Sequence, residues 1–179
     1  MIDEPWLARL TIEPLDRKKH DRWAFSCGIE RIDVFLKKIA AQQADRDTFR
    51  TYVAIEPPSN AILGYYALGP HGIDVSQLPP EDQKRMPRHP TVGAIYLSMV
   101  GVDSHYQKRG LGAYLLADAL RTCVEVADKI GGAFVVLDAL NEGAARLYRR
   151  CGFHDLPGPG HETRMIMPMK KVRAAIADA

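Results

Sequence analysis

The segment 100–112 combines the end of a predicted strand, a turn and the start of a predicted helix. A helix start exposes unpaired backbone N–H groups and the positive end of the helix dipole, so an anion is stabilised there. Gly110 and Gly112 carry no side chain where a phosphate would approach the backbone closely, and Lys108 and Arg109 add positive charge at the rim. These features predict a phosphate site on backbone amides, although two glycines alone are also consistent with a tight turn. The residues of the predicted site are Gln107, Lys108, Arg109, Gly110, Leu111 and Gly112.

The glycine spacing restricts the kind of phosphate compound. A dinucleotide-binding loop continues with a third glycine, but this chain has Leu115 at that position. A P-loop ends in lysine followed by serine or threonine, and this pair is missing as well. These differences argue against NAD and ATP.

A second motif follows further along the chain, and its order is Asn141-x-x-Ala144-x-x-Leu147-Tyr148-x-x-Cys151-Gly152-Phe153. Together with Gln107-x-x-Gly110-x-Gly112 after an apolar strand, it resembles the two signatures of the GNAT acetyltransferase superfamily. The resemblance implies a mixed α/β (α+β) fold with a splayed central sheet flanked by helices. It also implies that acetyl-CoA binds with its pantetheine between the fourth and fifth strands.

The resemblance implies roles for further residues. Backbone N–H groups of the fourth strand near Met99, Val100, Gly101 and Val102 are expected to polarise the thioester carbonyl. In the family this strand carries a bulge, which Gly101 would suit.

The second signature is expected to supply the acid. Tyr148 is expected to protonate the coenzyme thiolate, and a tyrosine packed in the core is the alternative. Asn141 and Ala144 are expected to contact the cofactor, or Asn141 only caps its helix. Asp138 and Glu142 do not stand out as general bases, and an α-amine is partly neutral near pH 8 without one. We therefore expect direct attack by a positioned amine.

A closer resemblance, to the GNAT toxins that acetylate the α-amine of aminoacyl-tRNA, covers nearly the whole chain. It implies an aminoacyl-tRNA substrate, a ribbon-helix-helix antitoxin and a homodimer. The chain departs from the family at Ser98-Met99, where relatives often have Arg-Leu. An enzyme for a small amine or a protein amino group, and a binding module without catalysis, remain alternatives. The resemblance rests on Phe25-Ser-Cys27-Gly28, Arg50-Thr-Tyr-Val53, Gly64-Tyr-Tyr-Ala-Leu68 and Met86-Pro-Arg-His-Pro90.

Clustered basic residues are the predicted tRNA surface. The formal charge of +2 is too small to indicate a polyanionic partner, but Lys37 with Lys38 and Arg88 lie in basic clusters. Such clusters either contact phosphates or form solvated faces.

Three tyrosines are expected either to stack a terminal base or to belong to the core, and these are Tyr65, Tyr66 and Tyr96. Four of the six histidines show no metal-ligand grouping, so no metal is predicted, and these four are His71, His89, His105 and His161.

The elements that position these residues follow a βαββ–βαβαβ order in one predicted domain, 1–179. Strands are predicted at 10–14, 49–56, 61–68, 92–102, 134–138 and 165–169, and helices at about 29–44, from 111 to near 131, and from 141 to 152. Residues 75–90 are predicted to be irregular, and about 170–179 a polar tail. Without a membrane-length apolar run, a signal peptide or paired cysteines, the chain is predicted to be cytoplasmic, with free thiols at Cys27, Cys123 and Cys151.

Overall fold

The computed structural model describes residues 5–156 and 163–177. Seven strands form one mixed sheet in the order β1-β2-β3-β4-β5-β7-β6. The strands are β1 Thr11–Pro14, β2 Arg50–Ile55, β3 Gly64–Asp74, β4 Thr91–Val102, β5 Phe134–Ala139, β6 His154–Asp155 and β7 Thr163–Pro168. The helices are α1 Glu30–Val34, α2 Ala40–Asp45, α3 Pro80–Gln83, α4 Leu111–Ile130, α5 Glu142–Arg150 and α6 Met169–Ala177. This arrangement confirms the predicted mixed α/β sheet with flanking helices.

The apolar pattern explains the two elements that follow the turn at 103–110, helix α4 and strand β5. The leucines of α4 recur at helical spacing, and Leu111, Leu115, Leu116 and Leu120 are all buried. In β5 the unbroken apolar run Phe134–Leu137 is buried on both faces and pairs in parallel with Ala94–Leu97 of β4. On its other side β5 pairs antiparallel with β7.

The described chain divides into two compact units, each with its own core. The first unit contains the chain up to Gly69 and Ser98–Ala119, and the second contains Pro70–Leu97 and the chain from Leu120. The first core includes Phe25, Leu36, Val53 and Tyr65. The second core includes Ile73, Val92, Phe134 and Ile166.

Three predicted elements differ from the structure. The predicted helix at 29–44 is interrupted, because Phe35–Ile39 between α1 and α2 is a π-helical segment. Strand β3 runs through Pro70 to Asp74, since Pro70 is exposed and a proline is tolerated in a strand where its missing N–H is not needed. The stretch predicted to be irregular contains the short helix α3.

The polar tail predicted from residue 170 is wrong as far as Ala177. Residues Met169–Ala177 form α6, in which Met169 and Val172 are buried. The two buried residues lie three positions apart on one side of the helix, so one narrow stripe is covered although most positions are exposed. Among the described residues, no helix combines the length and apolar character needed to cross a membrane.

Candidate functional site

The turn that follows β4 is organised by a buried carboxylate. Asp103 is 6% exposed and accepts hydrogen bonds from the backbone N–H groups of Ser26 and His105, each at 3.0 Å. Ser104 N–H returns a bond to the carbonyl of Ser26 at 2.8 Å. Burial would raise the pKa of Asp103, but the hydrogen bonds from Ser26 and His105 outweigh burial and hold the pKa below its ordinary value. The turn is therefore anchored to the loop at residues 25–28.

The side chain of Gln107 links two segments of the backbone through hydrogen bonds. Its Nε2 donates to the carbonyl of Cys27 at 2.8 Å and to that of Val102 at 3.0 Å. Both bonds hold the turn against the end of β4 and against the 25–28 loop. The Nε2 group of Gln107 is therefore engaged within the protein, and binding of the cofactor by Gln107 stays a prediction.

The loop backbone has the shape of an anion-binding concavity. Lys108 and Gly110 both have left-handed backbones, with φ of 59° and 81°. Alternation of left- and right-handed residues turns successive N–H groups toward one point, where an anion can be bound. Helix α4 then begins at Leu111, which is fully buried, and Tyr114 N–H makes an early helical bond to the carbonyl of Gly110 at 3.1 Å.

Gly112 fits a bound phosphate better than a packing requirement. A Cβ built on Gly112 would have Val102 Cγ2 as its nearest neighbour at 3.7 Å, an ordinary contact distance. The protein itself thus leaves room for a side chain at this position. The open space beside the first N–H groups of α4 suits the pyrophosphate of coenzyme A, which is the group that the sequence motif predicts here.

Arg109 is held by two aromatic rings that the sequence did not point to. Its guanidinium carbon lies 4.6 Å from the ring centroid of Trp6 and 5.5 Å from that of Tyr106. The two rings stack on each other with centroids 6.0 Å apart. These cation–π contacts restrain a charged side chain at the rim of the loop. Trp6 is distant from Arg109 in the sequence, so no local motif signals that contact.

The end of β4 is packed against its own unit. Beyond the ladder with β5, the strand continues through Met99, Val100, Gly101 and Val102. A Cβ on Gly101 would lie 2.7 Å from Ile32 Cγ2 and 2.8 Å from Tyr65 Cε1. Close packing therefore explains this glycine, and the bulge predicted for it stays a prediction.

Asn141 caps the helix that carries the predicted acid. Its side-chain oxygen accepts the N–H of Ala144 at 2.9 Å, in the geometry of an N-cap. The alternative role given to Asn141 from the sequence is thus observed. Contacts of Asn141 and Ala144 with a cofactor remain predictions.

Tyr148 lies on α5 as a half-buried side chain. Its ring packs edge-on against Phe153 with centroids 5.9 Å apart. Within the residues that the structure describes, its hydroxyl makes no hydrogen bond. Burial, and then the nearby Cys151 thiol, raise the pKa of Tyr148, so the hydroxyl keeps its proton at neutral pH. The ring is positioned by packing while the hydroxyl keeps its capacity to donate.

The acidic residues near α5 have partners already. Asp138 accepts both Arg164 nitrogens at 2.8 and 2.9 Å and the Tyr96 hydroxyl at 2.7 Å. Burial would raise the pKa of Asp138, but Arg164 and Tyr96 outweigh it and lower the pKa. Glu142 accepts from Arg149 at 2.9 Å. A carboxylate whose pKa is lowered by an arginine is a poor proton acceptor, so Asp138 is not suited to act as a base, and Glu142 is engaged by Arg149.

The basic residues predicted to contact tRNA lie in both units. Lys37 is half-buried and Lys38 exposed, and both belong to the π-helical segment Phe35–Ile39. The Arg22 guanidinium donates to the carbonyl of Lys37 at 3.1 Å, which joins two basic clusters that are separate in the sequence. Arg88, in the second unit, is exposed.

The three tyrosines named as possible base-stacking residues all have partners in the fold. Tyr65 and Tyr66 are fully buried, and their hydroxyls donate to the carbonyl of Ile32 and to Asp118, each at 2.7 Å. Tyr96 bonds Asp138, as described above. Each of them is therefore a structural residue.

No group of three or more metal-ligating side chains occurs in the described parts of the chain. His161 lies outside these parts. Cys27 and Cys123 are buried free thiols, and Cys151 is partly exposed.

Comparison with known proteins identifies relatives over most of the chain. Residues 47–155 match the sequence model of the Acetyltransferase (GNAT) domain. The protein named "Probable toxin TacT" from Sinorhizobium fredii is 38% identical over 93% of this chain and 95% of its own length. The "tRNA-acetylating toxin" of Mycobacterium tuberculosis is 33% identical over 88% of this chain and 92% of its own.

Two solved structures are similar over the same range. AtaT complexed with acetyl-methionyl-tRNAfMet superposes with a TM-score of 0.84, at 28% identity over 92% of this chain and 98% of that one. A tyrosine-to-phenylalanine mutant of AtaT, bound to the C-terminus of the antitoxin AtaR and to acetyl-CoA, gives a TM-score of 0.77 at 26% identity over 93% and 97%. On these matches, the chain belongs to the GNAT acetyltransferase family and is an N-acetyltransferase.

Proposed function

We propose that this enzyme is a toxin that transfers the acetyl group of acetyl-CoA to the α-amino group of aminoacyl-tRNA and so blocks translation. The observation that carries the proposal is the cofactor loop, defined as residues 103–112, whose left-handed backbone at Lys108 and Gly110 suits an anion and which has room for a side chain at Gly112. The toxin relatives that match over nearly the whole chain indicate the substrate.

The cofactor loop would bind the pyrophosphate of acetyl-CoA through the backbone N–H groups of Gln107–Gly112. The positive end of α4, a helix of 20 residues, adds to this attraction. Lys108 and Arg109 contribute charge at the rim, with Arg109 restrained by Trp6 and Tyr106. Acetyl-CoA supplies the acetyl group as a thioester.

Tyr148 would act as the general acid. Its pKa lies above the ordinary tyrosine value, so the proton is present throughout the physiological range, and its hydroxyl donates it to the departing thiolate. Backbone N–H groups of Met99–Val102 would polarise the thioester carbonyl. Since Asp138 and Glu142 are held by arginines, we propose that the neutral α-amine attacks directly and that positioning contributes most of the acceleration.

The first unit would supply tRNA contacts through Lys37, Lys38 and Arg22, and the second through Arg88. The Arg22 guanidinium bonds the backbone carbonyl of Lys37, so the two cationic residues are neighbours in the fold. A π-helical segment inside a helix occurs frequently at functional sites. Contacts of this kind are independent of sequence and weaken as salt increases.

The test is to incubate the protein with labelled acetyl-CoA and charged total tRNA, and to map the label after nuclease digestion. We expect label on the α-amine of the aminoacyl ester, and none when the tRNA is deacylated beforehand. Label on polyamines or on protein amino groups, with none on charged tRNA, would contradict the proposed substrate and favour the alternative GNAT enzymes.

The basic surface can be tested separately by reversing Lys37 and Lys38 to glutamate. The KM for charged tRNA should rise, and each lost phosphate contact should reduce the slope of log affinity against log salt by about 0.7–0.9. The matched control reverses Lys170 and Lys171, an exposed lysine pair on α6, and should leave both quantities unchanged. An equal response in both variants would mean that Lys37 and Lys38 form only a solvated face.

We further propose that residues 1–179 function as one GNAT domain in the cytoplasm, where charged tRNA and acetyl-CoA are available. As a toxin, the enzyme would be neutralised by an antitoxin, which we propose to be of the ribbon-helix-helix type, and would act as a homodimer. The antitoxin complex of AtaT supports the first of these partners. Co-expression with a candidate ribbon-helix-helix antitoxin, followed by size determination of the complex, tests both.

A further inference from the structure

Trp23 is the most unusual surface residue of the first unit. Its side chain is 63% exposed, although tryptophan is normally covered because it offers so much apolar area. The Arg22 guanidinium lies 5.8 Å from its ring centroid and leaves most of the indole open. Nothing in the acetyl transfer described above uses this residue.

The loop that carries Trp23 is held in place on both sides. Before it, the Asp21 carboxylate accepts the backbone N–H groups of Trp23 and Ala24 at 3.0 and 3.4 Å, and Asp21 N–H donates to the carbonyl of Asn60 at 3.2 Å. After it, Phe25 is buried in the first core at 1% exposure. The indole is therefore presented by an ordered backbone.

The same loop is joined to the cofactor loop. Ser26 N–H donates to Asp103, and the next carbonyl, that of Cys27, accepts from Gln107. Three residues of chain span at most about 10 Å, so the Trp23 backbone lies within that distance of the Ser26 anchor. The 22–27 loop is therefore a direct neighbour of the cofactor loop.

The chemistry of the pair is that of a nucleobase-binding surface. Exposed aromatic faces and arginine planes stack unpaired bases with little sequence preference, and lysines nearby attract the phosphates. Arg22 connects the indole to such a lysine, since it donates to the carbonyl of Lys37 at 3.1 Å. A protein partner would fit an exposed aromatic residue equally well, but the adjoining cations favour a polyanion.

We propose that Arg22 and Trp23 form a stacking platform for an unpaired nucleobase at the aminoacyl end of the tRNA. The inference rests on the proposed function, because it assumes that charged tRNA is the substrate. It adds a specific pair of residues and a mode of contact that differs from phosphate binding. The single-stranded acceptor end is the part of a tRNA whose bases are free to stack.

The first experiment compares Trp23→Ala with Trp23→Phe, using the charged tRNA species that the labelling experiment identifies. Trp23→Ala should raise the KM for that tRNA about tenfold, whereas Trp23→Phe, which keeps an aromatic face, should restore most of it. The kcat at saturating tRNA and the KM for acetyl-CoA should stay near wild type in both variants. An unchanged KM for tRNA in Trp23→Ala would overturn the platform while leaving the proposed function intact.

The second measurement does not depend on catalysis. The chain has two tryptophans, so Trp23→Phe leaves Trp6 as the only indole emitter and serves as the reference. Uncharged total tRNA should quench the wild-type emission more than that of Trp23→Phe, and a fully paired RNA duplex without unpaired ends should remove the difference. Equal quenching in the two proteins would overturn the platform.

The outcomes separate the possible failures. If wild type acetylates no charged tRNA, the proposed function fails, and the fluorescence difference alone decides whether the platform binds RNA. If Trp23→Ala instead changes the oligomeric state or the affinity for an antitoxin, with tRNA parameters unchanged, Trp23 is a protein contact and the platform is overturned.

Discussion

The cofactor loop and the α5 segment are built in different ways. The loop is held by the buried Asp103, the side-chain hydrogen bonds of Gln107 and left-handed backbones at Lys108 and Gly110. The α5 segment has one capping bond at Asn141, and Ala145 is its fully buried residue. A site that binds a phosphate through several backbone N–H groups needs all of them fixed in position. A proton donor needs only one hydroxyl within hydrogen-bonding distance of the leaving group. Changes in the loop should therefore appear in binding, and changes at Tyr148 in turnover.

The sharpest test of this difference is Tyr148→Phe, which keeps the ring against Phe153 and removes only the hydroxyl. Turnover should fall by roughly 10²–10⁴-fold because the thiolate loses its general acid, while affinity for acetyl-CoA and the thermal midpoint stay near wild type. Steady-state kinetics with calorimetry measure both. Turnover close to wild type would return Tyr148 to a packing role.

The pH profile of wild type sharpens the same prediction. Because burial raises the pKa of Tyr148 above its ordinary value of 10.0, the acid stays protonated and kcat should not decline between pH 7 and 9 through its loss. A decline of kcat between pH 7 and 9 that disappears in Tyr148→Phe would contradict the direction of that pKa shift.

In the loop, Gly110→Glu should act mainly on binding. The new carboxylate would lie where the pyrophosphate is expected, and repulsion together with backbone strain should weaken acetyl-CoA affinity by roughly 100-fold or more. The matched control is Gly131→Glu, at the other end of α4. Gly131 has nearly the same φ, 82° against 81°, and open space around it. Calorimetry showing equal affinities for the two variants would mean that backbone strain, and not a phosphate site, explains the effect.

A smaller effect is expected for Gln107→Leu. The variant loses the bonds to the carbonyls of Cys27 and Val102, each worth about 0.5–1.5 kcal/mol, so the KM for acetyl-CoA should rise about tenfold. The kcat at saturating cofactor should remain near wild type because Tyr148 is unchanged. A kcat that falls with an unchanged KM would show that Gln107 takes part in the chemistry and does not merely shape the loop.

The two regions also differ in how far the sequence predicts them. The glycines of the loop, the leucines of α4 and the Asn141 cap are local patterns, and the structure has each where the spacing indicated. The hydrogen bonds between Ser26 and Asp103 and between Gln107 and Cys27 join residues about 80 positions apart in the sequence. Arg109 and Trp6, which also contact each other, are separated by even more of the sequence. The spacing of residue types along the sequence does not reveal contacts between residues so far apart. The Asp103-Ser-His turn was the one local hint, since aspartate before a short turn commonly caps it.

The last prediction separates packing from chemistry within one strand. On β4, an added Cβ at Gly101 would lie 2.7 Å from Ile32 and 2.8 Å from Tyr65, whereas at Gly93 no atom lies within 4 Å. Tyr65 cannot move away easily because its hydroxyl bonds the carbonyl of Ile32 at 2.7 Å. Gly101→Ala should therefore lower the free energy of unfolding by about 1–3 kcal/mol, and Gly93→Ala should change it by less than about 0.5 kcal/mol.

Urea unfolding measures this difference, provided that the m-values of the variants equal that of wild type. If Gly101→Ala is as stable as wild type but loses activity, the glycine is needed for the approach of the thioester to β4. That result would contradict the packing explanation and favour the bulge that the family resemblance predicts at Gly101. If instead stability falls while kcat at saturating substrate is kept, the backbone N–H groups of Met99–Val102 tolerate a repacked core, and the glycine serves the fold.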